Sequence, residues 1–381
     1  MADLDAALAW LAGQRPAMEA LLERLVRQNS FTRNREGVNA VLSAVEAELR
    51  RLGLACQRLP GGAFGDPLFF ESRAAGAPVF LVGHADTVFP PGEFEGWHAD
   101  GALLRGPGVL DMKGGLVVGI FALTALSRAG VLERVPLRGL FVGDEEMGSP
   151  ASQPLTRERA RGSACALGLE SGRPGDLIVT RRKGIASLDV TARGVAAHAG
   201  SDHRKGKNAV WALSRFVDLA QALTDYQRGV TVSVGRIEGG TTRNTVPAEA
   251  RCEVDLRFLS EGDGADARER LRRAAVEAAV EGTTLTVTLA NTRPPLERTE
   301  ASAALAAEYG AIQGACGLGS GEAPLSGGGS DASVTGSAGV PSIDGLGPRG
   351  AAFHTRDERV ERDSLVPKAA ALARFLARRA G

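Results

Sequence analysis

The stretch from Arg105 to Gly115 reads Arg-Gly-Pro-Gly-Val-Leu-Asp-Met-Lys-Gly-Gly and constrains the fold more than any other part of the chain. It places one carboxylate, that of Asp111, among glycines and a proline, and apolar residues then recur at a helical period from 116 to 132. Glycine permits turns and close backbone contacts that other residues do not. The pattern therefore predicts a tight turn at a helix start. A carboxylate held there can bridge two cations, or it can simply cap the helix.

Three short apolar runs end in acidic residues or a histidine. Runs of this kind are typical of buried parallel strands, and open α/β sheets bind ligands beyond the carboxyl ends of their strands. Acids at such ends are costly unless a positive charge lies nearby, although a solvated acidic turn and a structural histidine are alternative interpretations. The residues concerned follow runs 78–82, 137–142 and 164–169 and are His84, Asp86, Asp144, Glu145, Glu146 and Glu170.

A later segment completes a set of metal-binding side chains. Residues 340–347 read as a strand and a glycine turn, and a histidine follows at 354. The three carboxylates and two neutral imidazoles of the set carry −3 against +4 for two divalent cations, and the remaining +1 suits a hydroxide generated from water. Ligation by nitrogen and oxygen favours two Zn2+ ions, with Co2+ and Mn2+ as alternatives. The candidate ligands are His84, Asp111, Glu146, Glu170 and His354.

Two further acids lie beside these candidate ligands. Glu145 is adjacent to a ligand in sequence and is not needed as one, so it can act as a general base. Asp86 follows His84 by two residues, and a metal-binding histidine usually needs such a group to fix its tautomer. Together these residues predict a two-metal hydrolase.

The middle of the chain has a different order of elements. Strand-like runs occupy 182–194, 230–237, 250–258 and 283–289, and helical runs occupy 208–223 and 265–281. The resulting order, β-α-β-β-α-β, is that of the ferredoxin-like fold. We therefore predict an α/β protein with a catalytic domain formed by residues 1–180 and 293–381. Residues 181–292 are predicted to form an inserted domain.

Composition gives no support to several classes of partner. Lys+Arg and Asp+Glu both number 45, so zero net charge favours neither nucleic acid nor an anionic membrane as a partner. We find no apolar run of membrane-spanning length and no signal peptide, and we expect a cytoplasmic protein. The four cysteines lack CxxC spacing, which is typical of reduced thiols rather than of a disulfide framework.

Eight segments, in this order, resemble the dinuclear-zinc metallopeptidase and aminoacylase family. They are HADTV, RGPGVLDMKGG, GDEEMGS, LGLESG, AAHAG, RNTVPAEARCEVDLR, GGGSDA and AFHT. Within that family the chain most resembles the glutamate carboxypeptidase branch, which is related to acetylornithine deacetylase and succinyl-diaminopimelate desuccinylase. The resemblance implies that Asp111 bridges two zinc ions, with Glu146 completing the site of His84 and Glu170 that of His354. It also implies the zinc-peptidase form of the catalytic domain, which is built on a mixed sheet.

The resemblance assigns further roles within the inserted domain, which is the lid and dimerisation domain of the family. It implies a homodimer in which His198 of one subunit polarises the scissile carbonyl in the site of its partner. Asn244 and Arg257 are implied to face the substrate carboxylate, and Arg293 is a further candidate for that contact. The glycine-rich run around Gly328 is either a flexible linker or a shaped loop that presents backbone N–H groups to an anion.

The expected reaction is hydrolysis of an amide bond. We expect release of a C-terminal amino acid, glutamate-like, from a small peptide or an N-acyl amino acid. A biosynthetic deacylase of N-acetyl or N-succinyl amino acids and a dipeptidase are alternatives; glutamate at position 170 disfavours the dipeptidase, because dipeptidases of the resembled family tend to have aspartate there. A metal-free binding protein is an alternative of another class, and retention of the complete ligand set with Glu145 argues against it.

Overall fold

Helices and strands alternate along most of the chain in the computed structural model of the protein, which describes residues 2–380. The helices are α1 (Ala2–Ala12), α2 (Arg15–Arg27), α3 (Arg35–Arg51), α4 (Gly114–Arg128), α5 (Gln153–Ala160), α6 (Ala209–Gln221), α7 (Glu261–Ala278), α8 (Glu300–Ala315), α9 (Asp331–Ser337) and α10 (Leu365–Ala377). The strands are β1 (Ala55–Arg58), β2 (Leu68–Glu71), β3 (Val79–His84), β4 (His98–Asp100), β5 (Leu103–Arg105), β6 (Leu137–Val142), β7 (Cys165–Gly168), β8 (Gly184–Arg193), β9 (Ala197–His198), β10 (Thr231–Gly239), β11 (Thr245–Val246), β12 (Glu249–Phe258), β13 (Thr284–Arg293), β14 (Ser342–Ile343), β15 (Gly350–Ala351) and β16 (Arg359–Glu361). This alternation is that of an α/β protein.

The first of two compact units consists of Met1–Arg181, Arg298–Ser326 and Ser330–Gly381. Its six-stranded sheet has the order β1-β2-β6-β3-β7-β14, in which β3 is parallel to β6 and β7 while β1 and β2 are antiparallel. Successive residues of β3 are buried in separate core clusters, one on each face of the sheet, which explains its continuous apolar sequence. The predicted mixed sheet is confirmed, and the carboxyl ends of β3, β6 and β7 lie at one edge.

Helix α4 lies at the centre of the core of this unit. It packs against α10, α1, α2 and α3, and the helical stretch Val109–Arg128 is apolar and long enough to cross a membrane. The expectation that no run reaches that length is therefore corrected. In this unit 89% of the most apolar window is buried, and a helix covered on all sides by protein is expected to be apolar all round. The stretch is accounted for as a core helix.

Two glycines shape the segment that carries Asp111. Gly108 adopts a left-handed conformation with φ of 71°, and Asp111 is non-helical with φ of −116° and ψ of 92°. Asp111 is therefore not the N-cap of α4, which starts three residues later. A Cβ atom at Gly115 would lie only 1.9 Å from the carbonyl oxygen of Leu169, so glycine is required for α4 to approach the end of β7. This approach brings the Asp111 segment next to the residues that follow β7.

A small antiparallel sheet connects the Asp111 segment to the C-terminal part of the chain. Its order is β15-β16-β5-β4, and Val360 of β16 pairs with Leu104 of β5. Strand β5 ends at Arg105, where the glycine-rich segment begins, and β15 ends shortly before His354. The small sheet therefore holds two candidate ligand segments in register although they are far apart in sequence.

The second unit consists of Arg182–Glu297 and Gly327–Gly329. Its antiparallel sheet has the order β10-β12-β8-β13, with α6 and α7 packed on the face where alternate residues of β8 are buried. This is the ferredoxin-like strand order. The last predicted strand continues to Arg293, and Arg182 pairs with Leu296. The unit consequently extends beyond residue 292, where the sequence placed its end.

Candidate metal centre

The carboxylate of Asp111 lies between two histidines. Its Oδ1 atom is 3.3 Å from Nε2 of His84, and its Oδ2 atom is 3.3 Å from Nε2 of His354. Glu170 approaches the first histidine, with 3.6 Å between Oε1 and Nε2, and Glu146 approaches the second, with 3.0 Å between Oε2 and Nε2. Two three-residue clusters therefore share Asp111, and within each cluster the candidate ligand atoms lie within 4.8 Å of one another.

The partners of the two histidines are the reverse of those implied by the resemblance. Glu170 joins His84 and Glu146 joins His354. Strands β3 and β7 are direct neighbours and run parallel, so His84 at the end of β3 lies beside the residues that follow β7. Glu146 lies on the turn after β6, where the loop that carries His354 reaches it. The pairing depends on strand order, which the sequence did not reveal.

The geometry of both clusters fits a divalent cation. Atoms bound to one tetrahedral zinc at about 2.0–2.2 Å lie roughly 3.3–3.6 Å from each other. The four nitrogen–oxygen distances between histidine and carboxylate atoms run from 3.0 to 3.6 Å. Imidazole nitrogens and carboxylate oxygens are also the donor types that zinc and related cations accept. The described residues can thus hold two cations, with Asp111 in contact with both.

The pKa values of the cluster residues are shifted because several acids and two histidines are buried close together. Burial raises the pKa of Glu146 to about 8, and burial together with Asp111 raises the pKa of Glu170 well above its ordinary value. Hydrogen bonds to Asp111 and Glu146 raise the pKa of His354 to about 10. Burial alone would raise the pKa of Asp111, but the two imidazoles outweigh it and the pKa is lowered. A cation would bind the deprotonated carboxylates and neutral imidazoles, so its binding would release protons. We therefore expect its affinity to increase as pH rises.

Asp86 is a buried acceptor that links one histidine to the loop after β6. Nδ1 of His84 lies 3.3 Å from Oδ1 of Asp86 and 3.0 Å from its backbone oxygen, so Nδ1 carries a proton and Nε2 faces the cluster. The backbone N–H groups of Glu145 and Glu146 each donate to Asp86 at 3.2 Å. The hydroxyl of Thr32 donates to it at 2.8 Å. Sequence reasoning missed Thr32, which is a polar loop residue between two helices and carries no distinguishing pattern.

The three consecutive acids after β6 occupy three different environments. Asp144 accepts hydrogen bonds from the hydroxyl of Ser152 and from the backbone N–H groups of Ala151 and Ser152. Glu145 is buried, and its Oε2 atom lies 4.0 Å from Nε2 of His84, farther than either carboxylate of that cluster. Glu146 contacts His354. Asp144 therefore stabilises the turn, and Glu145 lies beside the clusters without belonging to either.

His198 and Asn244 lie together within the second unit. Strand β9 pairs with β11, and the backbone oxygen of Asn244 accepts from the N–H of Ala199 at 2.8 Å. Nδ1 of the exposed His198 accepts from the backbone N–H groups of Gly200 and Ser201, both at 3.1 Å. A neutral imidazole with Nδ1 as acceptor carries its proton on Nε2. His198 is thus held as a donor through Nε2.

The other predicted substrate residues converge on a different part of the second unit. Arg257 and Arg293 flank Ile185 on neighbouring strands and share one face of the sheet. Arg257 donates two hydrogen bonds to Asp255, at 2.7 and 2.8 Å, and a third to the Gly327 oxygen at 3.3 Å.

The same part of the unit contains a buried arginine that sequence reasoning did not select. Arg182 donates to the backbone oxygen of Gly328 at 3.2 Å, so the glycine segment presents carbonyl groups to two guanidinium groups. The only signal for it in the sequence is its place in the basic run from 181 to 183. His98 and His203, for which the sequence gave no role, are exposed.

Known proteins are similar to this chain in sequence and in fold. Carboxypeptidase G2 of Pseudomonas sp. (strain RS-16) is 28% identical over 361 residues, which cover 93% of this chain and 87% of that protein. Succinyl-diaminopimelate desuccinylase of Methylobacterium sp. (strain 4-46) is 31% identical over 296 residues, which cover 69% of this chain and 72% of that protein. The crystal structure of an aminopeptidase from Bacillus cereus ATCC 10987 is 21% identical and superimposes with a TM-score of 0.78, covering 96% of this chain and 99% of that one.

The family model for peptidase family M20/M25/M40 matches residues 80–378. This range contains both three-residue clusters, the acidic turn after β6 and the whole second unit. The cluster geometry agrees with metal-dependent hydrolysis, and the similarity extends over most of the chain. The chain therefore belongs to peptidase family M20/M25/M40 and is a metallohydrolase of that family.

Proposed function

We propose that the protein is a two-metal amidohydrolase that releases a C-terminal amino acid, glutamate-like, from a small peptide or an N-acyl amino acid. The observation that carries the proposal is the pair of clusters that share Asp111. The relatives named as a carboxypeptidase and as a desuccinylase support an amide substrate. The similarity to a desuccinylase also supports a second candidate function, that of a deacylase of N-succinyl amino acids.

The cations of this proposal are two Zn2+ ions, with Co2+ or Mn2+ as substitutes. When bound, such a pair polarises a carbonyl group and makes water a nucleophile at neutral pH. His84 and Glu170 would hold one cation, Glu146 and His354 the other, and Asp111 both. Asp86 keeps the proton of His84 on Nδ1, which leaves Nε2 available as a ligand.

Glu145 is the proton carrier in the proposed reaction. Its carboxylate takes a proton from the attacking water and gives it to the leaving nitrogen. Its backbone N–H is held by Asp86, the same carboxylate that orients His84. One buried acid thereby fixes both the candidate base and a candidate ligand.

His198 is proposed to stabilise the oxyanion from the partner subunit of a homodimer. Its Nε2–H donor would face the substrate oxygen, as such stabilisation requires. Association through the second unit is supported by β10, which is an edge strand, and by the exposed apolar side chains Ile237 and Trp211 (53% and 58% exposed).

The substrate carboxylate is assigned to the second unit in this proposal. Arg257 and Arg293 would contact it, together with the segment around Gly328. Asn244, which lies beside His198 in another part of the unit, is a further proposed contact. The clustering of guanidinium groups on one sheet face supports an anionic leaving group. Since Asp255 already accepts two hydrogen bonds from Arg257, that arginine would bind substrate mainly through its remaining donors.

A hydrolysis screen tests the proposed function. Purified protein with added Zn2+ or Co2+ is offered N-acyl glutamates, N-acyl aspartates, N-acetylornithine, N-succinyl amino acids and dipeptides. We expect N-acyl glutamates to be cleaved fastest. Converting their α-carboxylate to an amide should lower kcat/KM by about 10- to 100-fold, because a charged hydrogen bond is lost. Preference for dipeptides or N-succinyl amino acids would select an alternative, and no hydrolysis by metal-loaded protein would contradict the proposal.

Replacing Glu145 by glutamine tests its role as base. Glu145→Gln should lower kcat by at least about 100-fold while metal content stays at the wild-type level, because a proton acceptor is lost but no ligand. Glu158→Gln, at an exposed glutamate of α5, is the matched control and should leave both quantities unchanged. Metal is counted by mass spectrometry and turnover on the best substrate of the screen. Loss of metal from Glu145→Gln would instead identify Glu145 as a ligand.

A subunit-mixing experiment tests the proposed role of His198. His198→Ala should retain metal and fold but lose about 100- to 1000-fold in turnover, as expected for an oxyanion donor. We then mix His198→Ala with Glu145→Ala under conditions of subunit exchange. If the histidine acts across the dimer, a mixed dimer contains one intact site and activity returns. An inactive mixture with verified exchange would contradict the cross-subunit role.

A further inference from the structure

We infer that Glu358 is a positioning residue of the metal centre, whose carboxylate fixes the segment that carries Asp111 relative to the loop that carries His354. This inference rests on the proposed function, in which both residues are ligands. Glu358 is fully buried and accepts three backbone N–H groups. Gly108 donates at 3.1 Å, Leu110 at 2.8 Å and Asp111 at 2.9 Å.

The three donors are backbone groups of one short turn. They precede α4 and lie outside it, so none of them is bonded within that helix. A carboxylate that accepts several such groups forms charge-assisted hydrogen bonds, which are stronger than neutral ones. Because one donor is the N–H of Asp111 itself, Glu358 fixes the peptide group from which the shared carboxylate projects.

The other end of Glu358 is anchored near His354. The N–H of Glu358 donates to the Thr355 oxygen at 3.2 Å, and β16 begins at the next residue and pairs with β5. His354 has a φ of 62°, a left-handed conformation that a non-glycine residue adopts only when its surroundings hold it there. Strand β15 before His354 and Glu358 after it provide that support from both sides.

Both carboxylate oxygens of Glu358 are used as acceptors. Oε2 accepts from the N–H of Gly108, and Oε1 accepts from those of Leu110 and Asp111. The neighbouring Lys113 is also completely buried, and its Nζ donates to the Gln28 oxygen at 3.0 Å. An amide of the same shape offers one acceptor oxygen instead of two, and this difference can be measured.

Glu358→Gln tests the inference because glutamine keeps the shape but replaces one acceptor oxygen by a donor. We expect the Zn2+ affinity, measured by competition with a chelating dye at fixed pH, to weaken about 10- to 100-fold, as is usual when groups behind metal ligands are changed. With both sites saturated by Co2+, the visible absorption bands should shift, since the geometry around the shared carboxylate has changed. Asp357→Asn, at the exposed neighbouring carboxylate, is the control and should change neither.

Wild-type affinity and an unchanged cobalt spectrum in Glu358→Gln would overturn the inference. If that variant fails to fold, hydrogen exchange of the wild-type protein tests the inference instead. The amides of Gly108, Leu110 and Asp111 should exchange as slowly as those of β3, and fast exchange of all three would overturn the inference. A wild-type protein that binds no metal would instead contradict the proposed function, and exchange of these amides would still show whether the anchor exists.

Discussion

The contact of one carboxylate with two imidazoles is the interaction on which the rest of the site depends. Each oxygen of Asp111 lies 3.3 Å from a different histidine, so the side chain belongs to both clusters. The turn at Gly108 and the close approach of Gly115 to the end of β7 set its position. Displacement of this one segment would disturb both candidate cation sites at once.

The first unit supports this contact by placing acids where a protein normally avoids them. Burial raises the pKa of Glu146 to about 8 and that of Glu170 well above its ordinary value, which disfavours the charged forms. A carboxylate without a partner in such a place destabilises the fold, and bound cations would offset that cost. Acids with raised pKa values are common in functional sites, which agrees with this sheet edge as a candidate cation site.

The sequence predicted what depends on local pattern. The apolar runs before His84 and Glu170 identified buried strands, and the order of elements identified the ferredoxin-like unit. The sequence could not predict which distant residues are neighbours in space. Glu170 lies beside His84 because β3 and β7 are adjacent in the sheet. Glu358 accepts a hydrogen bond from the N–H of Asp111, which is far away in the chain. The apolar helix α4 shows the same limit, because only packing distinguishes a core helix from a membrane span.

The most direct test of the account is anomalous diffraction from crystals grown with Co2+ or Zn2+. The account predicts two anomalous peaks about 3.5–4 Å apart, as in known two-metal sites. One should contact His84 and Glu170, the other Glu146 and His354, and both should contact Asp111. A single peak in the metal-saturated protein, or two peaks of which only one contacts Asp111, would contradict the shared carboxylate on which the account rests.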